Sequence, residues 1–380
     1  MDLSTRNRNN PYGDDKVMAA CCLFGMLDQT GKRISGTDTI AAIANMHDRG
    51  NGLGGGFAVY GLYPDWPDHY AFHIMFTSQT GRKQVEAKLR HAFHVAHAEE
   101  VPTRSARVTD PPSVWRYFVQ PRERQLIAQT ADDFVVEQVM EINTGHGEAF
   151  VFSSGKNMGV FKGVGFPEDI ADFFRLDEYQ AHLWTAHGRF PTNTQAWWGG
   201  AHPFSILDWT VVHNGEISSY GINRRYLEMY GYQCTMHTDT EVIAYAVDLL
   251  ARRHGLPLDV VAKVFSAPLW AEIDRMEDED EAALYRTLRQ VYGSLLLNGP
   301  FTIIIANQNE MIGLTDRIRL RPLTAATRGD VLYLSSEEAA IRLVSRHLDK
   351  VWTPLGGEPV VGRVKSAAAE PAADQQVLVA

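Results

Sequence analysis

With 380 residues, 45% of them hydrophobic, the chain has room for one large domain or two ordinary ones, each with a sizeable core. A formal net charge of -10 argues against a general nucleic-acid footprint, and three cysteines, Cys21, Cys22 and Cys234, are too few for a disulfide framework. No apolar run approaches the roughly 20 residues of a membrane-spanning helix, and the polar Met1–Ala20 lacks the apolar stretch of a secretory signal, so a reducing, cytoplasmic setting is expected.

Met18 to Leu27 is apolar and reads as a buried strand, closed by Asp28-Gln29-Thr30-Gly31. Helical spacing follows from Thr37 to His47. The glycine cluster from Arg49 to Gly56 lacks the Lys-Ser or Lys-Thr of a phosphate loop and leads into a strand, Phe57 to Leu62. A turn needing positive φ or close backbone approach is the better reading. Composition is charged and mixed from about Tyr63 to Val139, with helical spacing over Val85 to Ala98 and a loop over Val101 to Pro112. Residues 65 to 145 read as an insert in a larger fold. Strands are expected at Glu148–Phe152 and Met158–Lys162, joined by a turn. Leu183 to Leu250 alternates strand-like runs with turns and ends in an apolar helix from Glu241 to Leu250. The acidic run Met276–Glu281 reads as a solvated helix start. Phe301–Ala306 and Val331–Ser335 are strand-like, and the Ala-rich Ser366–Ala380 tail is expected to be disordered. Short strands mixed with amphipathic helices imply an α+β layered architecture rather than an open parallel sheet.

Four segments carry the chemistry: Cys21-Cys22-Leu23-Phe24-Gly25, His187-Gly188-Arg189-Phe190-Pro191-Thr192-Asn193-Thr194, Val211-Val212-His213-Asn214-Gly215-Glu216-Ile217, and Thr238-Asp239-Thr240-Glu241. Each alone has an ordinary explanation. A cysteine often packs as a small hydrophobe, Asn-Gly after an apolar strand makes a hairpin turn, and Thr-Asp-Thr-Glu caps a helix. Occurring together and in this order, they resemble the class II glutamine amidotransferases, which carry an N-terminal nucleophile. The family opens on Cys-Gly-Ile-Val/Phe-Gly, and the interval to Gly25 selects Cys21 over Cys22. Its His-x-Arg-Trp/Phe-x-Thr motif matches His187, Arg189, Phe190 and Thr192, and its His-Asn-Gly matches His213-Asn214-Gly215. Ala201–Phe204, Asp316-Arg317, Arg321–Leu323 and Ser335–Glu337 also look like family segments. The likeness spans residues 18 to 362, most weakly over 65 to 145, and is strongest to the separate glutaminase subunit of glutamate synthases.

The resemblance implies a four-layer αββα sandwich, two antiparallel sheets between helices. It implies that Met1–Ala20 is a leader, removed so that the Cys21 α-amine becomes general base to its own thiol. Cys21 would then attack the glutamine side-chain amide, with the oxyanion held by the Asn214 amide and the Gly215 N–H. Arg189 would bind the substrate α-carboxylate by its planar fork, Asp239 the α-ammonium, and Thr192 would add a hydrogen bond. His187 and His213 read as structural, because the amine already supplies the base. Trp197 and Trp198 either cap a pocket or pack in a core. Cys22 departs from the family's glycine, either crowding the site or serving as a backup thiol. No metal or cofactor site is expected in this chain. No acceptor module is evident in it either, so the resemblance implies a partner bearing FMN and an iron–sulfur cluster that aminates 2-oxoglutarate with the ammonia. Two other readings remain: a silent glutamine-binding regulatory subunit, and an amide hydrolase of the same fold with another substrate.

Overall fold

The computed structural model describes residues 20–145, 147–190 and 196–365. The leader up to residue 19, the Ser366–Ala380 tail and Thr192 lie outside the described residues.

The first apolar run of the chain becomes a central strand, Cys22–Asp28, with all seven residues buried. It pairs antiparallel with Leu183–Gly188 on one side and Val331–Ser335 on the other. Gly55–Tyr60 and Met158–Gly163 extend the sheet in one direction, and Thr324–Arg328 and Lys350–Trp352 in the other, to seven strands. A second antiparallel sheet of five strands runs Phe204–Ile206, Trp209–Gly215, Phe301–Ala306, Glu310–Thr315, Val360–Arg363.

The two sheets pack face to face at short range. A Cβ on Gly25 would lie 2.7 Å from Met311 Sδ and 3.1 Å from Ile304 Cδ1 of the facing sheet, so the close approach requires glycine there. Helices Thr37–Ala44, Pro167–Phe173 and Glu338–Val344 cover the outer face of the first sheet. Asp239–Val247, with Tyr220–Glu228 beside it, covers the second. The result is the expected α+β sandwich, two antiparallel sheets between helices. Apolar burial between the layers drives it, with Leu23, Leu27, Trp184, Ile303 and Ile304 all fully inside.

Residues 70–153 build a smaller sheet, ordered Phe93–Glu100, Ser113–Pro121, Tyr70–Phe76, Ala149–Ser153, with helices Gln79–Ala92 and Ala131–Thr144. The helical spacing read over Val85 to Ala98 is therefore half right. The helix starts at a Ser78 cap that accepts the Gly81 N–H and stops at Ala92, where Phe93 turns extended. The Phe93 ring meets Phe72 at 5.6 Å and Phe134 at 5.3 Å, and this aromatic packing sets the following residues on the strand. The glycine cluster is a turn as expected, with Gly52 at φ +73° and Gly54 at φ +152°. The acidic run starts a helix, Asp278 accepting the N–H groups of Asp280 and Glu281 at 3.0 Å each. Among the described residues no helix is long and apolar enough to cross a membrane.

Candidate active site

Strand register decides what surrounds the first thiol. Cys22 pairs with Gly188, so Cys21 lies beside the chain as it leaves that strand through Arg189 and Phe190. The Phe190 N–H donates to Cys21 Sγ at 3.2 Å. The Arg49 guanidinium donates to the Cys21 carbonyl from Nε at 3.3 Å and Nη2 at 3.2 Å, and is itself held by Glu337 at 2.8 Å. Next to Glu337, Ser336 Oγ accepts the Leu23 N–H at 3.1 Å. Two segments far apart in sequence thus fix the backbone of the nucleophile.

The neighbouring thiol points elsewhere, because successive strand residues face opposite sides. Cys22 Sγ is buried against the carbonyls of Met46 and Gly188, at 3.8 Å each. Burial first, then the adjacent Cys21, pushes its thiol up to about 12. Cys22 is packing and does not crowd the site or back up Cys21.

The Cys21 thiol is protonated at neutral pH. Burial pushes its pKa up, and the Phe190 N–H and the Arg189 and Arg321 charges only partly offset this. Those same influences show what converges on it. Arg189 is buried, its N–H donating to Gly54 O at 2.8 Å. Burial lowers its pKa, while Cys21, Asp239 and Glu216 act in the opposite direction. Arg321 follows a loop shaped by Asp316, whose carboxylate accepts the N–H groups of Phe301, Ile318 and Leu320 at 3.2, 3.1 and 2.9 Å.

The second sheet contributes Asn214 and Gly215 at the end of one strand. Asn214 is 1% exposed, and its Nδ2 has no acceptor among the described residues. Gly215 sits at φ +150°, and a Cβ there would lie 2.0 Å from Pro300 O, so no other residue fits. Asp239, first residue of its helix, accepts the Ile217 N–H at 3.0 Å, which ties it to the chain leaving Gly215. Burial raises its pKa, but His213 and the hydrogen bonds from His213, Ile217 and Thr240 outweigh burial and keep it low. Asp239 is therefore a carboxylate at neutral pH.

A stack of imidazoles lies beneath. His187 Nε2 of the first sheet donates to the His213 carbonyl of the second at 2.8 Å. Its ring stacks on His202 at 4.1 Å, and His202 Nε2 meets Thr240 Oγ1 at 2.6 Å. Burial pushes His187 down to about 3 and His202 well below its usual range, so both are neutral. His213 sits 3.4 Å from Asp239 Oδ1. These rings brace the sheets and Asp239. Trp198 is buried on Phe173 and Phe174 and donates to Thr109 O at 2.8 Å, which settles it as core.

Cys21, Arg189 and Asp239 are thus brought within reach of each other's charge, and Asn214 and Gly215 are tied to them through His187 and Ile217. Thr192 is outside the described residues. Sequence reasoning missed Arg49 and the roles of Thr240 and Arg321. Only the family-like Arg321–Leu323 and Ser335–Glu337 segments hinted at this support.

A family model of the class-II glutamine amidotransferases matches residues 78–352. This chain belongs to that family. Cys21 precedes the matched span and is placed at the site by its neighbours Gly188 and Phe190. An uncharacterised protein of Archaeoglobus fulgidus is 58% identical over 357 residues, covering 93% of this chain and 94% of that one. The glutamine amidotransferase-like protein GlxB of Rhizobium meliloti is 26% identical over 54% of this chain and 59% of its own length. Among solved structures, the glutamine phosphoribosylpyrophosphate amidotransferase of B. subtilis matches with a TM-score of 0.45 and 15% identity, covering 90% of this chain and 47% of that one.

Proposed function

We propose that this class-II glutamine amidotransferase hydrolyses L-glutamine through Cys21 once Met1–Ala20 has been removed, and hands the ammonia to a glutamate synthase-type partner. The observation that carries the reading is the buried Asn214 Nδ2, a donor without an acceptor among the described residues, on the strand end joined to the Cys21 surroundings. A donor held dry and idle is what a developing oxyanion needs.

The raised thiol makes a base necessary. A free Cys21 α-amine, with an ordinary pKa of about 7.7 to 8.0, takes the thiol proton as sulfur attacks the side-chain amide carbon. The Asn214 amide and Gly215 N–H hold the oxyanion. The amine returns the proton to the leaving nitrogen, ammonia departs, and water hydrolyses the γ-glutamyl thioester to glutamate. Arg189 takes the α-carboxylate by its planar fork, Asp239 takes the α-ammonium, and Thr192 adds a hydrogen bond. Free ammonia would be lost to protonation, so a water-excluding passage into the partner fits the chemistry. That partner would carry FMN and an iron–sulfur cluster and aminate 2-oxoglutarate. Its copurification as a flavoprotein would support this half of the proposal.

The test compares two preparations whose intact masses are known. The chain beginning at Cys21 is expected to release ammonia from glutamine, and the chain retaining its leader is not. Equal activity from both would remove the amine as the base. A second reading rests on the uncut geometry. Ala20 N–H is held by Arg49 O at 3.1 Å and burial keeps the thiol protonated, so a chain that keeps its leader would bind glutamine as a silent subunit.

Arg189→Lys is expected to raise the glutamine KM by roughly 10-fold or more, since a point charge cannot replace two parallel N–H bonds. A KM equal to that of wild type would take Arg189 out of substrate binding.

A further inference from the structure

One buried hydroxyl beside this site is not a helix cap. Thr240 is fully buried as the second residue of the helix Asp239–Val247, whose start is already capped by Thr238 Oγ1 accepting the Glu241 N–H at 3.2 Å. A valine would fill the same volume without the cost of taking a hydroxyl out of water, so the hydroxyl has to be holding something. Its Oγ1 lies 2.6 Å from His202 Nε2, 3.1 Å from His213 Nδ1 and 3.3 Å from Asp239 Oδ1. One oxygen thus joins the approach to the edge strand Phe204–Ile206, the strand Trp209–Gly215 and the helix start.

The protons around this oxygen fall in one order. Asp239 is a carboxylate and can only accept, so the Thr240 O–H points to its Oδ1. That leaves lone pairs on Thr240 for the two rings, each of which brings an N–H. His202 is neutral, with a single N–H, and its Nδ1 has no partner among the described residues, so that N–H is spent on Thr240. Both oxygens of Asp239 are then tethered. Oδ2 accepts the Ile217 N–H at 3.0 Å, and Oδ1 has Thr240 and, at 3.4 Å, His213 Nδ1. The tethers matter because the last torsion of an aspartate is broad and does not fix the carboxylate plane by itself. Behind them, His202 stacks on His187 at 4.1 Å and His187 Nε2 donates to the His213 carbonyl at 2.8 Å, so the rings that hold Thr240 are themselves held between the two sheets.

We infer that Thr240 is a positioning residue that sets recognition of the substrate α-ammonium, by holding the Asp239 carboxylate turned to face it. This rests on the proposed glutaminase reading, in which Asp239 takes that ammonium. Thr240 itself touches neither substrate nor thiol. Without its hydroxyl, Oδ1 keeps the longer His213 contact alone, the carboxylate turns about its last bond, and the ammonium is met at a poorer angle. A substrate that lacks the α-amine makes no use of Asp239 and loses little. A hydroxyl that served only the core would be missed equally by both substrates.

The experiment compares glutamine with glutaramate, the same molecule with hydrogen in place of the α-amine, as substrates for the chain beginning at Cys21, with melting temperatures recorded alongside. Wild type is expected to prefer glutamine. Thr240→Val is expected to cut that preference, the ratio of the two kcat/KM values, by about 10-fold, mostly as a raised glutamine KM. Thr240→Ser keeps the hydroxyl and is expected to hold the preference within about 2-fold of wild type. If the Val variant does not fold, Thr240→Ala decides by the same ratio. An equal loss on both substrates overturns the role, and so does a Ser variant as impaired as the Val one. A wild-type enzyme that hydrolyses no glutamine overturns the glutaminase reading and this inference with it. Wild-type turnover without a preference for glutamine removes Asp239 as the ammonium holder, and this inference falls too. A wild-type preference that survives in the Val or Ala variant overturns this inference alone.

Discussion

Cys21→Ala is expected to abolish glutamine hydrolysis, by roughly 10⁴-fold or more, and to leave the Met1–Ala20 leader attached. The first effect follows from removing the nucleophile. The neighbouring thiol offers no substitute, because Cys22 Sγ faces the Met46 and Gly188 carbonyls on the other side of the strand. The second effect follows if the proposed removal of the leader is self-cleavage by Cys21. In that route the Cys21 thiol would attack the Ala20 carbonyl, the peptide nitrogen would leave as the new α-amine, and water would hydrolyse the resulting thioester. Arg49 on the Cys21 carbonyl and Phe190 N–H on the sulfur would hold the attacking residue in that route. Intact mass and ammonia release read the two effects separately. A Cys21→Ala chain that still loses its leader shows that another protease cuts it, and the nucleophile assignment survives. Glutamine turnover by that variant removes the assignment itself.

Much of this site was legible because its parts are short motifs on strands. Phe301–Ala306 and Val331–Ser335 were read with their observed bounds, each being an apolar run with turn residues on both sides. The motif pieces around Cys21, Arg189, Asn214 and Asp239 named the residues that the register brings to one end of the sandwich. What escaped reading depends on partners distant in sequence. Arg49 reaches Cys21 across 28 residues, from the start of a cluster whose glycines read only as a turn. Lys162 ended a strand-like run, where a lysine ordinarily marks the exposed terminus. Its burial depends on Gly56 and Phe204, which no local pattern connects to it. The Phe93–Glu100 strand was hidden because Val85, Leu89, Ala92 and Phe93 keep helical spacing up to the residue where the chain changes course.

The oxyanion assignment makes the other large prediction. Asn214→Ala is expected to lower kcat by on the order of 10²–10³-fold, about 3 kcal/mol of transition-state stabilisation, while KM for glutamine moves little. The separation follows from when the donor is used. A planar amide carbonyl in the ground state makes less demand on Asn214 Nδ2 than the tetrahedral oxyanion does, so the interaction is gained mainly on the way to the transition state. Folding is not expected to suffer in proportion. Nδ2 is buried without an acceptor among the described residues, so the substitution removes an unsatisfied donor along with the side chain's contacts. Asn214→Asp should be at least as damaging, because it sets a carboxylate where negative charge must develop. Steady-state kinetics of the two variants, with melting temperatures as a control on folding, check the assignment. A kcat near wild type in a folded Asn214→Ala protein would leave only Gly215 as oxyanion donor. A raised KM at constant kcat would instead make Asn214 a contact of the bound substrate, and the idle donor on this strand would be recognising glutamine before any chemistry begins.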